Sequence, residues 1–349
     1  MQDKVLHRLF LFPEPRLQTQ PLRNISRMPP WIRQKLGAEA HFGATRHAVS
    51  GFQLNTVCEE ARCPNRGECW SRGTATFMLL GDTCTRACGF CSVKTGKPAW
   101  FDANEPVRVA DAVTRLNLNY IVLTSVNRDD LEDGGAWVFA ESLRQLRMRK
   151  PGIGVEFLTP DFRGVQDEAV TIIMDAANSH PIPHSPSLAG RVPADTPEPL
   201  DGRGACSANS PSRPLPGLVW GHNMETVPRL YKTARKGSQY ERSLALLEKA
   251  SRQAGVATKS ALMLGLGETR EEVIAVLRDL RSAGVTRVSL GQYLRPTLEN
   301  LPVEEYIPPE VFTSLEQEAR ALGFGWVKAG PLVRSSYFAE EIQQEQQRD

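Results

Sequence analysis

Six of the seven cysteines in this chain fall within 34 residues, grouped as two triplets. Cys58, Cys63 and Cys69 form a C-x4-C-x5-C run, and Cys84, Cys88 and Cys91 form a C-x3-C-x2-C run. Structural zinc and electron-transfer iron–sulfur clusters ordinarily take four protein ligands, whereas each triplet offers three thiolates. A 4Fe-4S cluster held by three thiolates keeps one iron open for chemistry. A zinc site and paired disulfides are the competing readings of the same residues. Zinc favours C-x2-C pairs and a fourth ligand, and no histidine stands near either triplet to supply it. No secretory apolar segment precedes the triplets, so reduced thiols are expected.

The first triplet lies in Asn55 to Trp70, and the second in Gly81-Asp82-Thr83-Cys84-Thr85-Arg86-Ala87-Cys88-Gly89-Phe90-Cys91. Three cysteines on so tight a loop can hold three irons of one cluster. S-adenosylmethionine (SAM) can chelate the fourth iron through its amine and carboxylate. An electron delivered there cleaves the sulfonium to a 5′-deoxyadenosyl radical. Phe90, directly before the last cysteine, is placed to shield one side of the loop.

The elements that must carry these loops are legible as an alternation. β-like runs occur at Thr76–Leu80, Tyr120–Thr124, Val155–Leu158, Leu218–Trp220, Ser260–Leu264 and Val288–Leu290. Helix-period segments lie between most of them: 107–118, 136–149, 242–254, 271–283 and 309–322. Strands alternating with helices of this length predict βαβ units in an α/β fold, here a partial or complete parallel barrel of six units, with its site at the C-terminal ends of the strands. The residues after each run suit that place: Cys84 to Cys91, Ser125 to Asp133, Pro160-Asp161-Phe162, His222-Asn223, Gly265 to Glu268, and Gln292-Tyr293.

Two segments break the pattern. Residues 178–216 are rich in Pro, Ser, Gly and Ala and are read as a disordered insertion, either a genuine loop or a gene-model artefact. Cys206, His180 and His184 lie in it, and a chance cysteine is preferred there to a metal site. Residues 1–36 carry seven basic residues against Asp3 and Glu14. They read as an N-terminal arm, with an organelle transit segment as the alternative. Net charge is +2, so nothing points to a polyanion partner, and no apolar stretch is long enough to span a membrane. Neither nucleic acid nor a membrane is an expected partner.

C-x3-C-x2-C with an aromatic before its last cysteine resembles the radical SAM signature. The wider chain resembles the lipoyl synthases of that superfamily, from about Pro29 to Tyr337 outside the insertion. The resemblance is carried by both triplets, Leu123 to Gly135, Asp161-Phe162-Arg163-Gly164, His222-Asn223-Met224-Glu225-Thr226, Leu262 to Glu268, and Gly330-Pro331-Leu332-Val333-Arg334-Ser335-Ser336-Tyr337. It implies a radical SAM type (β/α)6 partial barrel over 76–325, an auxiliary-cluster extension over 37–75, and a C-terminal extension over 326–349.

It also implies that Cys84, Cys88 and Cys91 hold the SAM-binding cluster. Cys58, Cys63 and Cys69 then hold an auxiliary 4Fe-4S cluster whose fourth ligand is Ser336, an oxygen that leaves iron more readily than a thiolate would. Phe90, Asp133, Gly134, Glu156, Asn223 and Lys259 are the expected SAM contacts, the last three as strand-end polar residues and Asp133-Gly134 as a loop close to the SAM amine.

The implied activity is sulfur insertion at C6 and C8 of an octanoyl chain amide-linked to a carrier lysine, with one SAM cleaved per C–H bond and the auxiliary cluster consumed as the sulfur source. The implied partners are octanoylated lipoyl carrier domains (2-oxoacid dehydrogenase E2 subunits and the glycine cleavage H protein), a ferredoxin or flavodoxin electron donor, and a cluster-repair carrier. The short spacing from Cys69 to Thr76 suggests a cytoplasmic enzyme, with mitochondrion or plastid as the alternative. The competing functions are a tRNA methylthiotransferase with two clusters and a zinc-binding interaction module.

Overall fold

Near-continuous apolar runs, not alternating ones, predict strands covered on both faces, as parallel strands are. The computed structural model describes residues 28–32, 51, 54–60, 63, 65–71, 76–116, 118–179 and 218–337. Cys206, His180, His184 and most of the basic N-terminal arm and of the insertion lie outside them.

Within the described residues, chain order begins with β1 (Asn55–Thr56), α1 (Val57–Glu60) and α2 (Arg66–Ser71). The strand β2 (Thr76–Leu79) follows, then the short pair β3 (Thr83–Cys84) and β4 (Lys94–Thr95). The alternating part comprises α3 (Glu105–Arg115), β5 (Tyr120–Ser125), α4 (Ala136–Arg149), β6 (Gly154–Leu158), α5 (Gln166–Asn178) and β7 (Leu218–Gly221). It continues through α6 (Tyr231–Ala234), α7 (Tyr240–Ser251), β8 (Val256–Leu264), α8 (Arg270–Ser282), β9 (Arg287–Gln292), α9 (Pro309–Ala321) and β10 (Trp326–Gly330).

One sheet has the order β1-β2-β5-β6-β7-β8-β9-β10. All of its pairs are parallel except β1 with β2, which run antiparallel with Asn55 opposite Met78. The six expected strands are present, and β10 extends the parallel run beyond residue 325, where the barrel was expected to end. Side chains from β2, β5, β8 and β9 line one cavity, so the sheet curves around it. The curve does not close by strand pairing among the described residues: β1 and β10 are its two edges.

The helices cover the outer face through apolar stripes. Val109, Ala112 and Val113 of α3, and Phe139, Leu143 and Leu146 of α4, pack with β2, β5 and β6 in one core cluster. Phe139 meets Phe157 edge to face at 5.1 Å, a geometry favoured by the ring quadrupoles. Val273, Val276, Leu277 and Leu280 of α8, with Phe312 and Leu315 of α9, pack on β8 and β9 in a second cluster. Local chemistry sets the helix starts. Pro106 stands in the first turn of α3, and Thr269 with Glu272 forms a capping box on α8.

Candidate active site

The second cysteine triplet leaves the sheet directly after β2. Leu80 (φ 69°) and Gly81 (φ 87°) take left-handed backbone there and turn the chain out of the strand. The buried Glu105 carboxylate accepts the Leu80 N–H at 2.7 Å, which compensates that bend. The parallel pairing of Thr83 with Lys94 and of Cys84 with Thr95 closes the base of the loop.

Arg86, between the first two cysteines of this triplet, ties the loop to the segments after β5 and β6 and to the turn between α6 and α7. Its guanidinium forms a fork with Asp129 and donates from Nη2 to Asp161 Oδ1 at 3.1 Å. It also donates to the Gly237 carbonyl at 2.6 Å. Asp161 takes a second cation, with Arg242 Nε at 2.8 Å. Burial pushes the Asp161 carboxyl up, but the charges of Arg86 and Arg242 outweigh it and hold the group below the ordinary carboxylate range.

The loop's far side is pinned by backbone. Gly89 N–H donates to Ala234 O, and Gly89 O accepts from Leu301 N–H, both at 2.9 Å. A Cβ on Gly89 would stand 3.0 Å from Thr233 O, so this approach needs glycine.

Cys84, Cys88 and Cys91 all face a cavity of about 480 Å³, and so do Cys58, Cys63 and Ser336. The structure therefore brings six of the seven expected cluster ligands to one cavity. Cys69 sits on α2, half-buried against the core, and does not line that wall. Phe90 and Asn223 are on the wall.

Four residues expected near SAM have partners within the protein and do not line this cavity. Asp133 caps α4: its Oδ1 accepts from Gly135 N–H and its Oδ2 from Trp137 N–H, at 2.8 and 2.7 Å. Gly134 (φ 62°) belongs to the same capping turn, and neither residue lines the cavity. Glu156 and Lys259 form a buried ion pair. Lys259 Nζ donates to both carboxylate oxygens at 3.0 Å, with each side chain only 1% exposed. The Nζ also stands 4.8 Å from the Trp326 ring centroid, a cation–π distance.

Other residues take the polar positions on the wall. Glu225, in left-handed backbone (φ 66°), accepts from Asn223 Nδ2 at 3.0 Å. Burial raises its carboxyl, opposed by the charge of Arg235. Arg235 is itself held from behind by the Tyr231 hydroxyl and Ser243 Oγ, at 3.0 and 2.9 Å. His222 Nε2 accepts from Arg235 Nη2 at 3.1 Å, which leaves Nδ1–H to donate to Thr159 O at 2.8 Å. Burial, then the Arg235 charge, pushes the His222 imidazole down to about 3. Glu225 and Arg235 were not singled out from the sequence as site residues. The only signal was that Glu225 falls within the His222 to Thr226 block.

The donor set suits an iron–sulfur group. Burial pushes the Cys88 thiol up to about 12 and the Cys91 thiol up to about 11, so metal coordination is the favourable way to hold thiolates there. Cys84 Sγ accepts backbone N–H groups from Arg86 and Asn127 at 3.4 and 3.3 Å, the kind of contact that stabilises a ligating thiolate. Among the described residues no three His, Cys, Asp or Glu side chains gather tightly enough to hold a single metal ion. Cys58 and Cys63 of the first triplet and all three cysteines of the second border the cavity, as the ligands of an extended group would. The buried hydroxyls of Ser125 and Ser289, on the same wall, have no hydrogen-bond partner among the described residues.

The family profile of the radical SAM superfamily matches residues 78–182. A lipoyl synthase of Chlorobium phaeovibrioides is 44% identical over 314 residues, 90% of this chain and 96% of that protein. A lipoyl synthase of Symbiobacterium thermophilum is 45% identical over 333 residues, 94% of this chain and 92% of that protein. The solved structure of methylornithine synthase (PylB) aligns with a TM-score of 0.46 at 12% identity, covering 84% of this chain and 83% of that one.

Proposed function

The chain belongs to the lipoyl synthase family, and from that premise we propose which of its residues carry each part of the reaction. The activity is radical-mediated insertion of two sulfur atoms at C6 and C8 of a protein-bound octanoyl-lysine, giving lipoyl-lysine, with SAM and two 4Fe-4S clusters as cofactors. The substrates are octanoylated carrier proteins.

Cys84, Cys88 and Cys91 hold the SAM-binding cluster, and Cys58, Cys63, Cys69 and Ser336 hold the auxiliary one. When bound, the first supplies the electron that generates a 5′-deoxyadenosyl radical, and the second supplies sulfur. The observation that carries this reading is that members of both triplets and Ser336 share one cavity. With both clusters bound at one cavity, the two halves of the chemistry would be held within a single space.

The protein's own residues position and insulate. Phe90 packs with Tyr293, Leu266 and Val303 beside the second triplet, an apolar flank that keeps water from the reacting carbon. Asn223, Glu225 and Arg235 are the charged and amide groups available to a zwitterionic methionine moiety. His222 keeps its proton on Nδ1 and thereby presents a lone pair that fixes the Arg235 guanidinium. Ser125 and Ser289 offer free hydroxyls to a ribose or an amide.

E2 subunits and the glycine cleavage H protein are the proposed carriers, a ferredoxin or flavodoxin the proposed electron donor, and a cluster-repair protein the proposed source of renewed sulfur. The bacterial relatives support a cytoplasmic setting. No helix among the described residues is long and apolar enough to cross a membrane.

The test is anaerobic incubation of reconstituted protein with SAM, reductant and an octanoyl-lysine peptide, with iron counted on the same sample. Two clusters predict about eight irons per chain. Cys88→Ala is expected to abolish 5′-deoxyadenosine formation. Cys63→Ala is expected to spare SAM cleavage and block sulfur insertion. Equal loss of both activities in both variants overturns the division.

A further inference from the structure

The chain after β10 does not run free. Pro331 O accepts from Gln292 N–H at 3.3 Å, and the arm crosses β9 where a Cβ on Gly291 would stand 2.0 Å from Val333 O. It then meets the segment between the second and third cysteines of the first triplet at two points. Asn65 Nδ2 donates to Leu332 O at 2.6 Å. The Tyr337 hydroxyl donates to the Glu68 carboxylate, 3.1 Å from either oxygen. Between these anchors the backbone folds into a turn, with Tyr337 N–H on Arg334 O at 3.0 Å. Ser336 sits inside this span, one residue from the second anchor.

We propose that Asn65, Glu68 and Tyr337 are positioning residues that clamp the C-terminal arm onto the first cysteine triplet and so seat Ser336 against it. The proposal rests on the reading of Ser336 as the auxiliary-cluster ligand and deepens it. An alkoxide is a weak partner for cluster iron, so its occupancy depends on how little freedom its backbone has. Two hydrogen bonds five residues apart remove most of that freedom at both ends of the turn. Asn65 is 1% exposed, stands two residues after Cys63, and its carbonyl accepts the Cys69 N–H at 2.9 Å, so the clamp is tied directly to the cysteines. The serine can leave iron by side-chain rotation alone, without the arm peeling away. It can return the same way when a cluster is rebuilt. A clamp of this kind makes the labile ligand reversible.

Reconstituted full-length protein carrying Tyr337→Phe, Glu68→Gln or Asn65→Ala tests this. Tyr337→Phe keeps the ring and removes only the hydroxyl. Three quantities are read: 5′-deoxyadenosine formation, release of iron from the auxiliary cluster to a chelator, and the Mössbauer signature of that cluster's non-cysteinyl iron. Loss of one hydrogen bond to a charged partner corresponds to about tenfold. Iron release is expected to quicken by about that factor in Tyr337→Phe and Glu68→Gln, with the distinct iron signal broadened or lost. Deoxyadenosine formation is expected within about twofold of wild type, because the second triplet is untouched.

Ser336→Ala separates the two claims. If it leaves the iron signature unchanged, the ligand reading fails. If it changes the signature while Tyr337→Phe, Glu68→Gln and Asn65→Ala all keep wild-type iron release, the clamp is refuted and the ligand stands.

Discussion

Arg86→Met is the substitution that most directly asks what holds the second cysteine triplet in place. The guanidinium is 3% exposed and Asp161 is 1% exposed, so this pair is scarcely screened by solvent; Asp129 is 25% exposed and can be rehydrated. Methionine approximates the length of the arginine stem but donates nothing. Asp161 keeps Arg242 at 2.8 Å, and Arg242 Nη2 still donates to the Gly237 carbonyl at 2.9 Å, yet Asp161 loses its deeper cation. Breaking a buried pair on one side costs about 3–5 kcal/mol. The retained Arg242 and the hydration open to Asp129 place the expected loss near the lower bound, about 3 kcal/mol.

The loss is local to the loop. Urea unfolding is therefore expected to show the destabilisation, while iron analysis shows the first triplet still loaded and the second depleted, about four irons per chain in place of about eight. Arg86→Lys keeps the charge but not the fork and should fall between wild type and Arg86→Met. If Arg86→Met unfolds within about 1 kcal/mol of wild type and keeps full iron and deoxyadenosine formation, the network does not organise the loop.

Lys259→Met leaves Glu156 buried without its cation and is expected to lose about 3–5 kcal/mol, whereas the Glu156→Leu/Lys259→Met pair should regain most of it. The KM for SAM is expected to stay within about twofold in that double variant, because neither residue lines the cavity; a tenfold rise restores them as ligand contacts. His222, pushed down to about 3 in the fold, stays neutral while an unfolded histidine gains a proton below about 6.5. Its contribution is thus present above that pH and is lost as pH falls, by about 2 kcal/mol between pH 8 and pH 5. Glu105, pushed up to about 7 by burial, shifts stability the opposite way over the same range. The readout is therefore the difference between wild type and His222→Gln in denaturant titrations at the two pH values; parallel curves would falsify a buried neutral imidazole.

The strands and helices were legible because apolar runs and 3.6-residue stripes are local signals, and Ala136–Arg149 matches its predicted bounds. What misled was polarity inside the sheet. β8 begins at Val256, ahead of its predicted start at Ser260, because the buried Thr258 and Lys259 interrupt its apolar run. Lys259 looked like a rim residue reaching for a ligand for the same reason. Its partner Glu156 lies 103 residues away, and no spacing rule reveals such a pair. Asp133-Gly134-Gly135 is ambiguous in the other direction. A glycine pair that admits left-handed backbone suits a ligand loop and a helix cap equally, and the N–H groups of Gly135 and Trp137 decide for the cap. Arg235 was silent in the sequence because its meaning comes from Tyr231, Ser243 and His222 packing behind it.

The edges of the sheet explain why both triplets and a distant serine share one cavity. A parallel barrel that closed by strand pairing would fill its interior with side chains and leave only its rim for chemistry. Here β1 and β10 stand at opposite edges, and each is followed by a segment that turns toward the other. The segment after β1 carries Cys58, Cys63, Asn65, Glu68 and Cys69, and the segment after β10 carries Leu332, Ser336 and Tyr337. The Asn65–Leu332 and Glu68–Tyr337 bonds join them across 267 and 269 residues of chain. Side-chain contacts thus span the gap between the two edge strands. The seam they form lines the same cavity as the loop after β2, which carries Cys84, Cys88 and Cys91. An open sheet leaves room in its interior for a substrate chain, and the seam borders that room at its side, where the proposed ligand assignment would put the sulfur source. The two cysteine triplets need only the short strand β2 between them, because one borders the seam and the other the strand's C-terminal end.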